Sequence, residues 1–203
     1  MNWEWCAFMD SIENRRSIRK YKPDTVAKEL IDIIVNAARL APSAKNRQPW
    51  KYIAYISSEK NKLLEIMESS LIKEQEEHSL LPNSQNSLPD AFNTLKIMKT
   101  APVIIIVVNT NGHNPFEAAD SDTRIAEICD SLSIGASVEN MILKATDLGL
   151  GTLWIANTCF AYNDLMDFIG EKGQFAGAVA LGYADEQPPL RLRKELSEIL
   201  EYR

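Results

Sequence analysis

The chain has 203 residues, and its 22 lysines and arginines against 28 aspartates and glutamates give a formal net charge of −6 at pH 7. This acidic balance argues against a general binder of nucleic acid or of membrane surfaces, which needs a basic face. The 45% of hydrophobic residues excludes a disordered chain, and the length favours a single domain over residues 1–203.

The sequence also lacks the signals of several other protein classes. The longest apolar run, 103–108, is far shorter than the roughly 20 residues of a membrane-spanning helix, so we expect no membrane partner. The first residues do not form the basic and apolar pattern of a secretory signal, which predicts a cytoplasmic protein. Separated cysteines and two isolated histidines, His78 and His113, predict neither disulfides nor a metal site.

Apolar spacing predicts the secondary structure. Residues 1–16 predict a short helix, and over 27–40 apolar residues recur at the spacing of a half-buried helix that Pro42 ends. Next come a strand at 52–56, a charged helix at 59–80, a polar loop at 81–90, a helix at 90–99 and a buried strand at 103–108. The last predicted elements are a loop at 109–120, a helix at 121–147, a strand at 152–155, a short helix at 163–169 and a strand at 175–181. This order predicts an α+β fold around one sheet.

The helix predicted at 121–147 differs from the others in its apolar surface. Apolar residues cover most of its circumference, and only Gly135 interrupts it. A helix of this kind is buried either at the centre of a fold or in a subunit interface, and the sequence leaves both positions open.

Residues 15–22 concentrate five cations without an anion in an otherwise acidic chain. The planar, permanently charged arginine side chain suits a phosphate, and the Ser17 hydroxyl would add a neutral hydrogen bond. A helix end with solvated arginines would give the same pattern. This segment therefore indicates either an anion site or a solvated basic turn.

Two further polar segments allow both a binding and a structural interpretation. Residues 41–50 combine prolines and small residues with Asn46 and Gln48, whose amides suit a flat ring with imide-like edges or a satisfied polar turn. In 188–193, two arginines two positions apart point the same way if the segment is extended. Ordinary surface arginines would explain that pair equally well.

No side chain stands out as a catalytic group. The acidic residues do not show a spacing that isolates an acid and base pair, and Gly149 and Gly151 follow a helix and precede a strand. That order is the reverse of the dinucleotide-binding fingerprint. If the protein is an enzyme, a bound cofactor rather than a catalytic residue is expected to carry the reaction.

Taken together, four segments resemble the nitroreductase family of FMN-dependent oxidoreductases. They are RRSIRKYKPD (15–24), AARLAPSAKNRQPWKYI (37–53), GLGTLWI (149–155) and LGYADEQPPLRLRK (181–194), in family order. The resemblance implies a nitroreductase-like α+β fold, with a central mixed or antiparallel sheet flanked by helices. It also implies a homodimer that holds FMN at its interface, with the long helix at 121–147 in that interface.

The resemblance assigns the cofactor contacts residue by residue. Contacts of the FMN phosphate and ribityl chain are Arg15, Arg16 and Ser17, and a second phosphate-binding pair is Arg191 and Arg193. Arg19 matches a basic position near the pyrimidine edge of the flavin ring, where a cation stabilises the negative charge of the reduced ring.

Other contacts are implied around the flavin ring. The partner subunit supplies a loop with Pro42, Ser43, Ala44 and Asn46, while Asn93 and Lys96 match an amide and a cation at the ring. The backbone near flavin N5 is that of Trp154, Ile155 and Ala156. Many relatives have Glu-Gly or Gly-Gly at positions 156 and 157, so the Ala-Asn of this chain preserves only a backbone contact there.

The implied activity is hydride transfer from NAD(P)H through flavin N5 to a small-molecule acceptor such as a nitroaromatic or a quinone, by a ping-pong mechanism. A flavin-binding protein without turnover would carry the same phosphate-binding arginines. A specialised reaction, such as reductive dehalogenation or flavin fragmentation, is a third possibility, and an α+β domain without a ligand is the fourth.

Overall fold

The computed structural model describes residues 11–203 and contains one antiparallel sheet. Its strands are β1 (Trp50–Ile56), β2 (Val103–Asn109), β3 (Gly151–Ile155) and β4 (Gln174–Gly182), in the order β1-β2-β4-β3. Every residue of β2 is buried, as the unbroken β-branched run predicts for a strand covered on both faces. All four predicted strands are confirmed, each slightly longer than predicted.

Besides the helical residues 11–14, the described residues contain six α-helices, of which the first five flank the sheet. They are α1 (Lys28–Arg39), α2 (Ser57–Glu77), α3 (Leu88–Thr100), α4 (Ser121–Asp147), α5 (Tyr162–Ile169) and the single turn α6 (Leu196–Ile199). The long helix has the predicted limits, because the Asp120 carboxylate accepts a hydrogen bond from the Thr123 amide and caps its first turn. Residues 11–14 are also helical and residues 15 and 16 are not, whereas the part of the predicted helix within 1–10 lies outside the described residues.

The helices form two layers, and alternate residues of β2 point into them. Ile104, Ile106 and Val108 belong to a core with α2, α3 and α5. Their neighbours on the other face, among them Ile105 and Val107, belong to a second core with α1 and α4. The helices on both faces of the sheet confirm the predicted α+β architecture.

The prediction of a loop at 81–90 is wrong in part. Pro82–Ser87 forms a 3-10 helix, and α3 begins directly after it at Leu88. The physical reason is Glu74, a buried carboxylate near the end of α2. It accepts hydrogen bonds from the backbone amides of Ser79, Leu80 and Leu81 and from the side chains of Ser79 and Gln85, at 2.9 to 3.1 Å. These bonds fold the segment tightly against α2.

No helix among residues 11–203 is long and apolar enough to cross a membrane. Cys129 and Cys159 are free thiols, and the exposed His113 lies 3.2 Å from the Glu127 carboxylate.

Glu74→Gln should destabilise the protein at neutral pH and much less in acid. Desolvation alone would raise the pKa of the Glu74 carboxyl, but the hydrogen bonds from the Leu80 and Leu81 amides outweigh it and hold the pKa below its ordinary value. The stabilisation is therefore complete above the unfolded pKa of about 4.3 and is lost as the pH falls through the lower folded value. We expect a loss of about 1.5 to 3 kcal/mol in the free energy of unfolding at pH 7.

Urea unfolding at pH 7 and at pH 4 measures this difference. The gap between wild type and variant should be smaller at pH 4, and a gap independent of pH would contradict the assignment. Glu76→Gln, an exposed position on the same helix, is the control and should leave the free energy of unfolding nearly unchanged.

Candidate functional site

A pocket of about 450 Å³ lies between the segments near the two ends of the described chain. Its lining includes six residues predicted to bind FMN: Arg15, Arg16, Ser17, Arg19, Arg191 and Arg193. Ile12, Glu13, Pro188, Pro189 and Leu190 complete the lining. Folding thus gathers five guanidinium groups from positions about 175 residues apart, with one carboxylate, that of Glu13, among the described lining residues.

The first arginine segment, residues 15–22, runs beside the edge strand β3. The amide of Ile18 donates to the carbonyl of Thr152 at 2.9 Å, and a Cβ on Gly151 would lie 2.8 Å from the Ile18 side chain. Glycine at position 151 is therefore needed for this close approach. The Tyr21 hydroxyl donates to the Ile18 carbonyl at 2.9 Å, and burial raises the pKa of Tyr21, so the hydroxyl keeps its proton.

The chain that follows β4 holds the same segment from its other side. The Glu186 carboxylate accepts hydrogen bonds from the backbone amides of Arg19 and Lys20. The Asp185 amide donates to the Lys20 carbonyl at 2.9 Å. The chain then continues to residues 188–193, so these bonds bring the two arginine segments together.

The guanidinium groups use only part of their donors within the chain. Arg19 donates to the Ser17 carbonyl at 3.1 Å, and Arg193 donates to the Arg191 carbonyl at 3.2 Å. Arg15 Nε lies 3.7 Å from Glu139 Oε1 of α4. Because each guanidinium carries five N–H donors, this pocket has more donors than residues 11–203 use, which suits an anion with several oxygens such as a phosphate.

The predicted loop with Pro42, Ser43, Ala44 and Asn46 lies outside this pocket and packs on α4. Its backbone is tightly turned, with φ of 53° at Lys45, 54° at Asn46 and 49° at Gln48. Ser43 Oγ accepts a hydrogen bond from the Gln48 amide at 3.0 Å, and Gln48 Nε2 donates to Asn46 Oδ1 at 3.2 Å. The exposed amide side chains of Asn46 and Gln48 are therefore neighbours.

Polar side chains on one face of α4 hold the loop and the end of α1. We call this face the polar stripe; its members are Asp130, Ser133, Ser137 and Asn140. Asp130 pairs with Arg47, and Ser133 Oγ accepts from the Ala44 amide at 3.2 Å. Ser137 Oγ donates to the Ala38 carbonyl at 2.9 Å and also bonds the Tyr52 hydroxyl, and Asn140 donates to the Ala37 carbonyl at 3.3 Å.

The remaining predicted residues lie at the end of β3 and in the middle of α3. Asn93 and Lys96 are exposed on α3, whereas Trp154 and Ala156 are exposed and Ile155 is buried. None of these five residues lines the pocket formed by the two arginine segments, which we call the arginine pocket. Asn157 joins the two elements, since its Nδ2 donates to Asp90 Oδ2 at 2.9 Å and to Thr94 Oγ1 at 3.0 Å.

Sequence reasoning missed Glu186, Asn157 and Asp130. Glu186 lies in an irregular segment and Asn157 begins a short 3-10 helix. The partners of Glu186 lie 166 and 167 positions away, and those of Asn157 lie 63 and 67 positions away. Asp130 has a local signal, because it begins a row of polar residues at helical spacing in an otherwise apolar helix. A helix predicted to be buried that carries such a row indicates buried polar partners.

Comparison with known proteins extends the family resemblance to most of the chain. The sequence model of the nitroreductase family matches residues 12–183. YfhC of Bacillus subtilis (strain 168), named as an NAD(P)H nitroreductase, is 26% identical over 191 residues, which cover 93% of this chain and 90% of YfhC. The iodotyrosine deiodinase of Hydra vulgaris is 27% identical over 209 aligned residues, which cover 95% of this chain and 71% of the deiodinase.

The same relation is visible in the structure. The crystal structure of a BluB-like flavoprotein from Clostridium difficile 630 superposes with a TM-score of 0.73 at 26% identity, covering 96% of this chain and 98% of that protein. The match of the family model to residues 12–183 spans the arginine segment, the loop on α4 and all four strands. The resemblance found in the sequence is confirmed, and the chain belongs to the nitroreductase family.

Proposed function

We propose that this protein is an FMN-dependent oxidoreductase that uses NAD(P)H to reduce a small-molecule acceptor such as a nitroaromatic or a quinone. The observation that carries the proposal is the pocket shared by Arg15, Arg16, Ser17, Arg19, Arg191 and Arg193. Its surplus of guanidinium donors fits the terminal phosphate of FMN, a dianion with several acceptor oxygens. A nicotinamide nitroreductase activity is named for YfhC, which supports the same proposal.

The protein's part in the reaction is binding and electrostatics. The arginines near the two ends hold the phosphate, and Arg19 places a positive charge near the pyrimidine edge of the ring. When bound, FMN supplies the redox chemistry by accepting a hydride at N5 and passing the electrons on. The end of β3, which Asn157 ties to α3, would supply the backbone that the family resemblance assigns to the ring near N5. Because FMN would carry the chemistry, no catalytic side chain is required. The donor and the acceptor use the same flavin in turn, which gives a ping-pong mechanism.

We also propose a homodimer with FMN at its interface. The loop with Asn46 lies outside the arginine pocket of its own chain, so a second subunit is needed to bring it to a flavin. One face of α4 exposes Ile125, Ile128 and Leu132 to extents of 60%, 56% and 71%, and Leu192 in the C-terminal segment is 98% exposed. Apolar surface of this kind marks a protein interface, and α4 therefore lies between the subunits.

Reductive dehalogenation is the second candidate function, because the chain is 27% identical to an iodotyrosine deiodinase. The two reactions share the flavin and differ in the acceptor. Reoxidation of the reduced protein by a nitroaromatic, a quinone and an iodinated phenol separates them. Fast reoxidation by the iodinated phenol alone would favour dehalogenation.

Replacing Arg15 and Arg193 together with alanine should weaken FMN binding at least a hundredfold. Each charge-assisted hydrogen bond to the phosphate contributes about 1.5 to 3 kcal/mol, and a factor of ten in affinity corresponds to about 1.4 kcal/mol. Titration of the apoprotein into FMN, followed by flavin fluorescence, measures the dissociation constant.

The matched control for this variant is Lys20→Ala with Lys22→Ala. Both lysines are exposed, belong to the same basic cluster and lie outside the pocket lining. The control should bind FMN about as tightly as the wild type. Equal affinity of the double arginine variant and the wild type would overturn the assignment of the phosphate site.

Mixing the FMN-loaded protein with NADH or NADPH should bleach the flavin absorbance in a stopped-flow instrument. The absorbance should return when a nitroaromatic or a quinone is added, because the proposed cycle passes the electrons to that acceptor. Flavin that stays oxidised with both nucleotides would instead indicate a flavin-binding protein without turnover.

A further inference from the structure

Asp130 is a buried carboxylate whose main partner is a loop residue. Its side chain is 3% exposed, and Oδ1 accepts hydrogen bonds from Arg47 Nε at 3.0 Å and from Arg47 Nη2 at 2.7 Å. Arg47 Nη2 also lies 3.5 Å from the Ala126 carbonyl of the same helix, and Asn111 Nδ2 lies 3.4 Å from Asp130 Oδ2. A carboxylate this deeply buried is stable only when paired, so the pair fixes Arg47 against α4.

The loop that carries Arg47 has an unfavourable backbone. Lys45, Asn46 and Gln48 all lie in the left-handed region, which costs energy for residues with a side chain, and least for asparagine. Such residues persist only where the surrounding structure holds them, and they are concentrated at ligand-binding sites. Here the hold comes from α4, through the Asp130–Arg47 pair and the bond from the Ala44 amide to Ser133.

The held conformation presents two adjacent amide side chains. Asn46 and Gln48 are exposed, and the bond from Gln48 Nε2 to Asn46 Oδ1 uses a donor of one and the acceptor of the other. Asn46 keeps its own donor and Gln48 its own acceptor. A donor and an acceptor side by side are what a ring with alternating carbonyl and N–H groups requires.

We propose that Asp130 is a positioning residue for the flavin site of the partner subunit. Through Arg47 it holds loop 43–48 in the strained conformation that a flavin in the other subunit meets. The effect acts between subunits, because this loop lies outside the arginine pocket of its own chain. The inference rests on the proposed FMN-binding homodimer and adds to it a residue of α4 that does not touch the cofactor.

Asp130→Asn tests the inference with little change in shape. The amide keeps an oxygen for Arg47 but removes the charge, so the loop should spend less time in its strained conformation. We expect homodimers of this variant to bind FMN about tenfold more weakly, the equivalent of losing one charge-assisted hydrogen bond. If Asp130→Asn fails to fold, Arg47→Lys is used instead of it in every experiment below. Lysine keeps the positive charge but lacks the second nitrogen with which Arg47 bonds Asp130.

Mixed dimers distinguish positioning of the partner's site from a structural role in Asp130's own chain. A subunit with Asp130→Asn is coexpressed with a subunit carrying Arg15→Ala and Arg193→Ala, each with a different affinity tag, and the mixed dimer is isolated through both tags. The first subunit contributes intact arginines and the second an intact loop. The mixed dimer should therefore contain one FMN site of wild-type affinity and one that is defective in both parts.

The FMN titration of these dimers has distinct outcomes. Recovery of one tight site per mixed dimer, absent from both parent homodimers, supports positioning across the interface. A mixed dimer without a tight site, or an Asp130→Asn homodimer with wild-type affinity, overturns the inference and leaves the proposed function standing. If the wild type does not bind FMN, or the two tagged subunits do not associate, the proposed function or the dimer fails, and the inference fails with it.

The matched control is Lys51→Gln, which breaks an ion pair elsewhere in the chain. Lys51 Nζ lies 2.6 Å from Glu171 Oε1 in an exposed pair that does not touch the loop. This variant should keep the wild-type affinity for FMN. A loss of affinity equal to that of Asp130→Asn would show that any broken ion pair has this effect, and it would overturn the specific role of Asp130.

Discussion

The polar stripe of α4 is the constraint on which the rest of the site depends. A buried helix that faces the core with serine, asparagine and aspartate loses stability unless every polar group has a partner. In this protein most of these partners belong to one stretch of chain, the end of α1 and the loop after it, and Tyr52 of β1 and Asn111 add two more. The stripe therefore fixes the register of α1 against α4 and the path of the loop. A different face of α4, with Ile125 and Leu132, stays exposed.

The arginine pocket follows a different principle, because it depends on the backbone at the edge of the sheet. Neither arginine segment belongs to a helix or a strand of the sheet. The first is held by its contact with β3, and the second follows the residues that bond the first. Charge repulsion between the five guanidinium groups disfavours this arrangement. The backbone hydrogen bonds and the Glu186 carboxylate offset that repulsion. The result is a preformed cationic pocket in a protein of net charge −6.

The elements that were predicted correctly are those specified by local sequence. Strand β2 is a continuous β-branched run, and α4 has an apolar pattern and the cap residue Asp120, so neighbours along the chain contain the information. The prediction for 81–90 is wrong in part because the conformation of this segment depends on Glu74, whose importance is visible only once α2 is folded. Lys45 and Gln48 adopt left-handed backbone conformations without being glycine, so the sequence does not indicate them. The pairing of Arg47 with Asp130 spans 83 positions of the chain. Charge and spacing alone revealed both arginine segments, but only the four motifs in family order connected them as parts of one site.

The hydrogen bond between Glu186 and the amide of Arg19 spans 167 positions of the chain, which has a consequence for the order of events during synthesis. A ribosome releases the chain from its N-terminus, so α1, α2 and strand β1 can form long before β4 exists. The cationic pocket cannot close until β4 and the residues after it have emerged. Nearly all of the polypeptide must be made before the proposed phosphate site exists, so capture of FMN at that site would be a late event that follows completion of the sheet.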